Sequence, residues 1–348
     1  MTMTRRIAAL AGAAVLSLGM AGTAAAQNTL AGTPAPKPLA KQETVKISYS
    51  AKLEAFAPLF LGVAMGEYAK ENIKVELIAV GKASDSLVLL STGQTDAWIG
   101  SPAANLFNAI AGGSEMKIVA PGMFQQPGNQ QGVWVRKEFL KGKPFSPDLL
   151  KGETFATMVG LGSSVSLPIA LELEKAGLTL NDVKFKQMGA TDIVTALESG
   201  AVNAGFVSDP LWIKIDRSKV EFAFGQPPTY STGGVFYGPN LLTKRRDVGE
   251  AFMRGMVRTI RTYLQGDYHK DEKVMAALSK ELEIPMEVLQ RGVALGFPAD
   301  QPLADSTVEA LQKTYLSTPG VLTYDKPLPV DKVLDKGFLQ AALRGLGS

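Results

Sequence analysis

The chain has 348 residues, no cysteine, a single histidine and a formal charge of +3 at pH 7. No cysteine means no disulfide, no thiolate metal site and no cysteine nucleophile, and one imidazole leaves no histidine cluster to hold a metal. So small a net charge gives no basic footprint for nucleic acid.

The N-terminus reads MTMTRRIAALAGAAVLSLGMAGTAAAQ. Arg5 and Arg6 form a basic region, an apolar stretch follows from Ile7 to about Gly22, and Ala24, Ala25 and Ala26 supply the small residues of a cleavage site. Residues 1–26 are therefore expected to be a secretory signal cut after Ala26. The stretch is short and glycine-rich for a membrane anchor. No cysteine follows the cut, so a lipid anchor is excluded, while the arginine pair leaves the Sec and twin-arginine routes both open. Losing two arginines and no acid leaves the mature chain at +1, and it is expected to be soluble in the periplasm. Residues 27–43, rich in Pro, Ala and Lys and without periodicity, read as a flexible leader. The remaining roughly 300 residues suffice for two lobes, each with its own core.

Strand and helix patterns alternate from there. VKISYS (45–50) reads as a strand, 57–71 as a helix, 74–80 as a strand, 84–90 as a helix, 96–100 as a strand, 103–111 as a helix and 116–122 as a strand. The alternation restarts after GVWVRK: strand 153–159, helix 164–176, strand 183–188, helix 192–197, strand 204–208, a helix from Pro210 and strand 220–225. From about Arg246 the pattern is mainly helical. Alternation at these lengths points to parallel α/β architecture. LSTGQTDAWIGSP (90–102) also aligns with LESGAVNAGFVSDP (197–210) when one-residue gaps are allowed. Each places a helix-ending glycine, then Asp96 or Asn203 ahead of a strand, then Ser and Pro, which predicts two equivalent lobes.

In order and spacing, APLFLGVAMGEYAKENIKVELIAV, LLSTGQTDAWIGSPAANLFNAIAGG, LKGETFATMVGLGSSVSLPIALELEKAGLTLNDV and ALESGAVNAGFVSDPLW resemble the periplasmic substrate-binding proteins of ABC importers, in the nitrate/sulfonate/taurine and NMT1/THI5-like group. The similarity runs from about Val45 to Trp212. It implies a type II periplasmic-binding-protein fold, two α/β lobes joined by two crossing segments with ligand in the cleft. The crossings are expected near Gln131–Lys137 and Val235–Thr243. Lobe 1 is then discontinuous, 44–130 plus 244–348, and lobe 2 is 131–243 with its flanking hinge strands.

Ligands of open parallel sheets sit beyond the carboxyl ends of the strands. That rule nominates Ser48, Ser50, Lys52, Phe56, Lys82, Ser84, Ser101, Phe124 and Gln125 in lobe 1, and Gly162, Ser163, Ser164, Ala190, Ser208, Asp209 and Trp212 in lobe 2. Hydroxyls, amides and helix N-termini can hold an oxyanion without a cationic side chain. Each nomination has a plainer alternative. Ser101, Ser163, Ser164 and Asp209 are good helix N-caps; Phe56 and Trp212 fit a core as well as a ligand ring; Lys52 and Lys82 fit solvent; and QQPGNQQ, beginning at Gln125, fits a hinge as well as a cleft rim. Gly160 and Gly162 are expected to let the chain turn into the helix that Ser163 or Ser164 caps.

Enzyme readings are weaker. VGLGSSV is neither G-x-S-x-G nor a Walker loop, and His269 lies in the charged segment GDYHKDEK, where exposure is expected. The chain is expected to be a monomeric, cofactor-free and metal-free receptor, not an enzyme. It would close over a small ligand and deliver it to an inner-membrane ABC permease, an organosulfonate-like anion being the first choice. A thiamine pyrimidine precursor or an aromatic acid is the alternative ligand. A secreted serine hydrolase and a ligand sensor for a membrane kinase are the alternatives of another class.

Overall fold

Val133, Trp134 and Val135 show how the layers arise: successive side chains of a strand leave by opposite faces, and here the two valines enter one buried cluster while the tryptophan enters another. The computed structural model describes residues 37–347 apart from 210, 229 and 232. The expected signal, and the leader as far as residue 36, lie outside the described residues.

Among the described residues the strands are β1 (Glu43–Tyr49), β2 (Ile73–Ala79), β3 (Ala97–Gly100), β4 (Lys117–Pro121), β5 (Gly132–Arg136), β6 (Thr154–Thr157), β7 (Lys184–Gln187), β8 (Ala204–Val207), β9 (Val220–Gly225) and β10 (Gly234–Tyr237). They form two five-stranded sheets, ordered β2-β1-β3-β10-β4 and β7-β6-β8-β5-β9. The two orders are equivalent. In each, one strand that arrives from the other sheet runs antiparallel between its neighbours: β10 between β3 and β4, β5 between β8 and β9. The first three strands of each sheet are parallel.

The internal repeat is realised at matching places. Gly93 and Gly200 both take positive φ, +70° and +85°, where helices end, a conformation open to glycine at no steric cost. The carbonyl of Asp96 accepts from Gly238 N just past β10. The carbonyl of Asn203 accepts from Arg136 N at the matching end of β5.

Both sheets are covered on both faces, which is why their strands carry apolar side chains in both directions. Helices Ala57–Ala64, Arg246–Tyr263 and Gly337–Leu346 cover one face of the first sheet with Ile47, Ile99 and Val235, while helices Ala83–Ser91, Ala104–Ala111 and Asp305–Leu316 cover the other with Trp98 and Phe236. Helix Ser166–Glu174 and helix Ala190–Ser199 cover the two faces of the second sheet.

Two expectations are corrected here. The helix expected over 57–71 stops at Ala64 and resumes as a 3-10 turn at Ala69–Glu71, with Gly66 at φ +72° between them. The break lets Tyr68 fold back: its ring stacks on Phe252 with centroids 4.6 Å apart and its hydroxyl donates to the Pro58 carbonyl. Side chains at Gly62 or Gly255 would collide with that ring. The crossings are also displaced. The chain leaves the first sheet after Pro121 and enters the second at Gly132, then returns between Gly225 and Gly234, so Gln131–Lys137 and Val235–Thr243 lie largely on β5 and from β10 onward. A third segment joins them: Phe124 bridges Ser231 on one side and Gly296 on the other.

Candidate functional site

The loops after β3 and β6 meet. Ser101 Oγ and Ser164 Oγ lie 2.5 Å apart, and the Ala104 amide at the start of its helix donates to the Gly162 carbonyl at 2.7 Å. Behind them Leu167 joins the first sheet's cluster, and Lys313 pairs with Glu174 at 2.6 Å across the same seam. Ser163 Oγ is buried there without a hydrogen-bond partner. Two helices begin at this seam, Ala104–Ala111 and Ser166–Glu174, and neither N-cap residue offers a side-chain cap. The seam therefore gathers neutral donors and the positive ends of two helices, a set suited to anionic oxygen.

The capping roles expected of the serines are not those observed. The N-caps are Ala103 and Val165 rather than Ser101, Ser163 or Ser164. A tight turn enters the second helix instead, with Ser163 N donating to the Gly160 carbonyl and Ser166 Oγ to the Leu161 carbonyl. Gly160 and Gly162 are not among the glycines of positive φ. What Gly162 provides is closeness, since a Cβ there would stand 3.3 Å from the Ala104 methyl.

The other nominated residues divide between core, crossing and surface. Ser48 on β1 is fully buried and its Oγ has no partner. Phe56 packs in the first sheet's core and Trp212 in the second's. Ser50, Ala190 and Ser208 are half-buried, Ala190 opening its helix after Gly189. Ser84 is exposed and turns toward Asp85. Lys52 is tied to Glu283 at 2.5 Å. Phe124 and Gln125 belong to the crossing. The Gln125 side chain donates to Asn129 Oδ1 and the Gln131 carbonyl and accepts from Gln226 N, which ties the outgoing segment to the returning one.

Asp209 is bound into the same crossing rather than capping a helix. Its carboxylate accepts from Asn129 Nδ2 at 2.5 Å and from Trp212 Nε1, and its amide donates to Gln131 Oε1. The helix expected from Pro210 is a 3-10 turn, Leu211–Lys214. Burial raises the Asp209 pKa above the ordinary carboxylate value, against the pull of its two donors and with the help of the nearby Glu54 charge.

His269 is buried, not exposed. Its Nε2 lies 2.6 Å from Glu54 Oε1, which also accepts from the Tyr268 hydroxyl. Burial disfavours the charged ring, but the Glu54 hydrogen bond and charge outweigh it and lift its pKa above 6.5. The folded chain holds this proton more tightly than the unfolded chain. The pair's contribution to stability is thus complete below pH 6.5 and is lost as pH rises through the higher folded pKa. Glu54→Gln should accordingly lower the melting temperature more at pH 6 than at pH 9, as differential scanning fluorimetry would read; an equal loss at both would contradict the pairing. The charges of half-buried Asp209 and exposed Asp267 act on the pair too.

A groove of about 690 Å³ runs beside the crossing, lined by Gln126, Pro127, Asp267, His269, Gln290 and Val293 among others. Two helices begin instead at the Ser101–Ser164 seam, where the Ser163 hydroxyl is buried without a partner, and the seam is the place better suited to an oxyanion. Sequence reasoning missed two buried groups near it, Ser86 and Trp98. The signal for the first was a serine four residues before Leu90 on a helix's apolar face.

The family model described as NMT1/THI5-like matches residues 54–263. No curated protein matches the chain by sequence. Among solved structures, the alkanesulfonate-binding protein SsuA from Xanthomonas axonopodis pv. citri, bound to MOPS, is similar at TM-score 0.59 and 18% identity, over 85% of this chain and 99% of that one. The periplasmic nitrate-binding protein NrtA from Synechocystis PCC 6803 is similar at 0.63 and 15%, over 88% and 89%. The desulfurization enzyme DSZB is similar at 0.52 and 15%, over 87% and 99%.

Proposed function

Because the chain belongs to the NMT1/THI5-like family, we propose that it is a solute-binding receptor of an ABC importer that grips a small anion between its two sheets. Its fold is the type II periplasmic-binding-protein fold, two α/β lobes with paired crossings, each lobe built on one of the two equivalent sheets. The observation that carries the reading is the seam itself: Ser101, Gly162, Ser163 and Ser164 bring the loops of both lobes together at two helix N-termini. A ligand held there touches both lobes at once, so its binding energy favours the closed form, which a permease can distinguish from the open one.

We place the lobe boundaries at the sheet crossings, refining the expected division of 44–130 plus 244–348 against 131–243. The ligand class is an oxyanion, with an organosulfonate first. The neutral donors at the seam support this, and so does the capture of MOPS by SsuA and of nitrate by NrtA. Residues 1–26 act as the export signal and the mature chain works in the periplasm as a monomer. Among the described residues no helix is long and apolar enough to cross a membrane.

DSZB carries the same fold and is an enzyme, so capture has to be separated from turnover. A receptor returns its ligand unchanged. Titration with MOPS, ethanesulfonate, nitrate and benzoate, followed by analysis of the recovered ligand, tests this. Bound and intact ligand supports the reading, and consumed ligand refutes it.

A further inference from the structure

Among the described residues, six buried side-chain atoms have no hydrogen-bond partner: Ser48 Oγ, Ser86 Oγ, Thr95 Oγ1, Trp98 Nε1, Ser163 Oγ and His269 Nδ1. An unpaired buried donor is unfavourable unless something satisfies it. Thr95 stands before the start of β3, and His269 lies at the crossing. Ser48, Ser86 and Trp98, by contrast, share one face of the first sheet.

Ser48 and Trp98 are register partners on the parallel strands β1 and β3, so their side chains leave by the same face. Helix Ala83–Ser91 packs over these two strands, and its Leu87 and Leu90 join Trp98 in one cluster. Ser86, on that helix, is fully buried. The Trp98 ring stacks on Phe236 with centroids 4.3 Å apart, which fixes its orientation. Its Nε1 is turned to Gly100, where a Cβ would stand only 2.5 Å away. Gly100 is the last residue of β3, directly before Ser101 of the seam. A side chain at 100 would collide with the nitrogen-bearing edge of the indole.

We infer that Ser86 and Trp98, together with Ser48, form the floor of the ligand site and donate hydrogen bonds to an acceptor oxygen of the bound ligand. The inference rests on the proposed receptor function and names the residues that would select its ligand. An indole N–H donates and cannot accept, and both hydroxyls can donate. The side chains that cluster with Trp98 include Leu87, Leu90 and Phe236. The group that fits these donors therefore offers lone pairs: a sulfonate, nitrate or carboxylate oxygen, rather than an ammonium.

The test is calorimetric titration of the full chain and of the variants Trp98→Phe and Ser86→Ala with MOPS, nitrate and benzoate. Phenylalanine keeps a ring against Phe236 and removes the N–H, at the cost of a small cavity in the buried cluster. Each variant should weaken the probe that the unaltered chain binds by about tenfold. The ligand-free melting temperature of Ser86→Ala should stay level or rise, because an unpaired buried polar atom has been removed, whereas Trp98→Phe should lower it somewhat through the cavity it leaves. If the unaltered chain binds a probe and both variants bind it equally well, these atoms serve a buried water only; the inference falls and the receptor reading stands. If the unaltered chain binds none of the probes, both fall together. Should Trp98→Phe fail to fold, Ser86→Ala decides by the same criterion.

Discussion

Replacing Glu71 with alanine should lower the unfolding free energy by about 3–5 kcal/mol. Glu71 is buried in the turn that follows the broken helix. Its Oε2 accepts from Arg254 Nε and Nη2 at 2.9 and 2.6 Å, and its Oε1 from Arg258 Nη1 at 2.6 Å. Arg254 and Arg258 sit four apart on helix Arg246–Tyr263, so both reach the same side of it. Arg258 also holds Glu67, while Arg254 is itself buried. Removing Glu71 strands the Arg254 guanidinium away from water, and that uncompensated charge, more than the lost attraction, sets the size of the effect. Urea unfolding should show a lower midpoint with an unchanged slope. Adding Arg254→Met to the same chain should recover part of the loss. A decrease below about 1 kcal/mol would contradict a buried pair and indicate a solvated one.

Gly132→Ala should cost about 1–3 kcal/mol and weaken ligand capture with it. Gly132 opens β5 where the outgoing crossing enters the second sheet, and it is paired with Gly225 at the end of β9. A Cβ at 132 would lie 2.3 Å from the Phe224 carbonyl oxygen and 2.8 Å from Gly225 Cα. Both are backbone atoms, which cannot swing aside as a side chain can. The other end of the crossing is built alike: Gly122 N donates to the Gly233 carbonyl at 2.9 Å, and a Cβ on Gly122 would meet the Gly233 backbone at 2.6 Å. Glycines thus let the two connecting segments run in contact at both lobes. A Gly132→Ala chain as stable as the original would contradict this close approach.

The strands were legible because burial on both faces leaves a plain mark, a short apolar run bounded by turn residues. Val220–Gly225 was read with its ends in place, and the helix-ending glycines 93 and 200 revealed the repeat. What escaped reading depended on partners far away in the chain. The helix from Ala57 is periodic past its end, and its break at Gly66 goes with the docking of Tyr68 against Gly62, Gly255 and Phe252, partners that local periodicity does not show. His269 looks exposed among charges, yet one 3-10 turn, Tyr268–Lys270, buries it against Glu54 while Lys270 stays exposed. The crossings were displaced because GVWVR and GVFY, taken as the crossings themselves, pair inside the sheets with strands far away in the chain.

For the proposed site, the rule of strand carboxyl ends nominated the loops after β3 and β6, and these two loops meet in the structure. Their serines were misread as caps, since S-x-x patterns before a helix look the same whether the hydroxyl turns to its own amides or to another loop. Ser86 and Trp98 carried weaker signals, a hydroxyl on an apolar helix face and a tryptophan two residues before a glycine.

The central claim is capture of one small oxyanion between two lobes. Calorimetric titration of the purified chain with MOPS, ethanesulfonate, nitrate and benzoate tests it most directly. The account predicts one-to-one binding of at least one of these, with recovered ligand unchanged and a stabilisation of about 2.7 kcal/mol at a hundredfold excess over Kd. No heat and no stabilisation with any of the four, or conversion of the ligand into product, would contradict it.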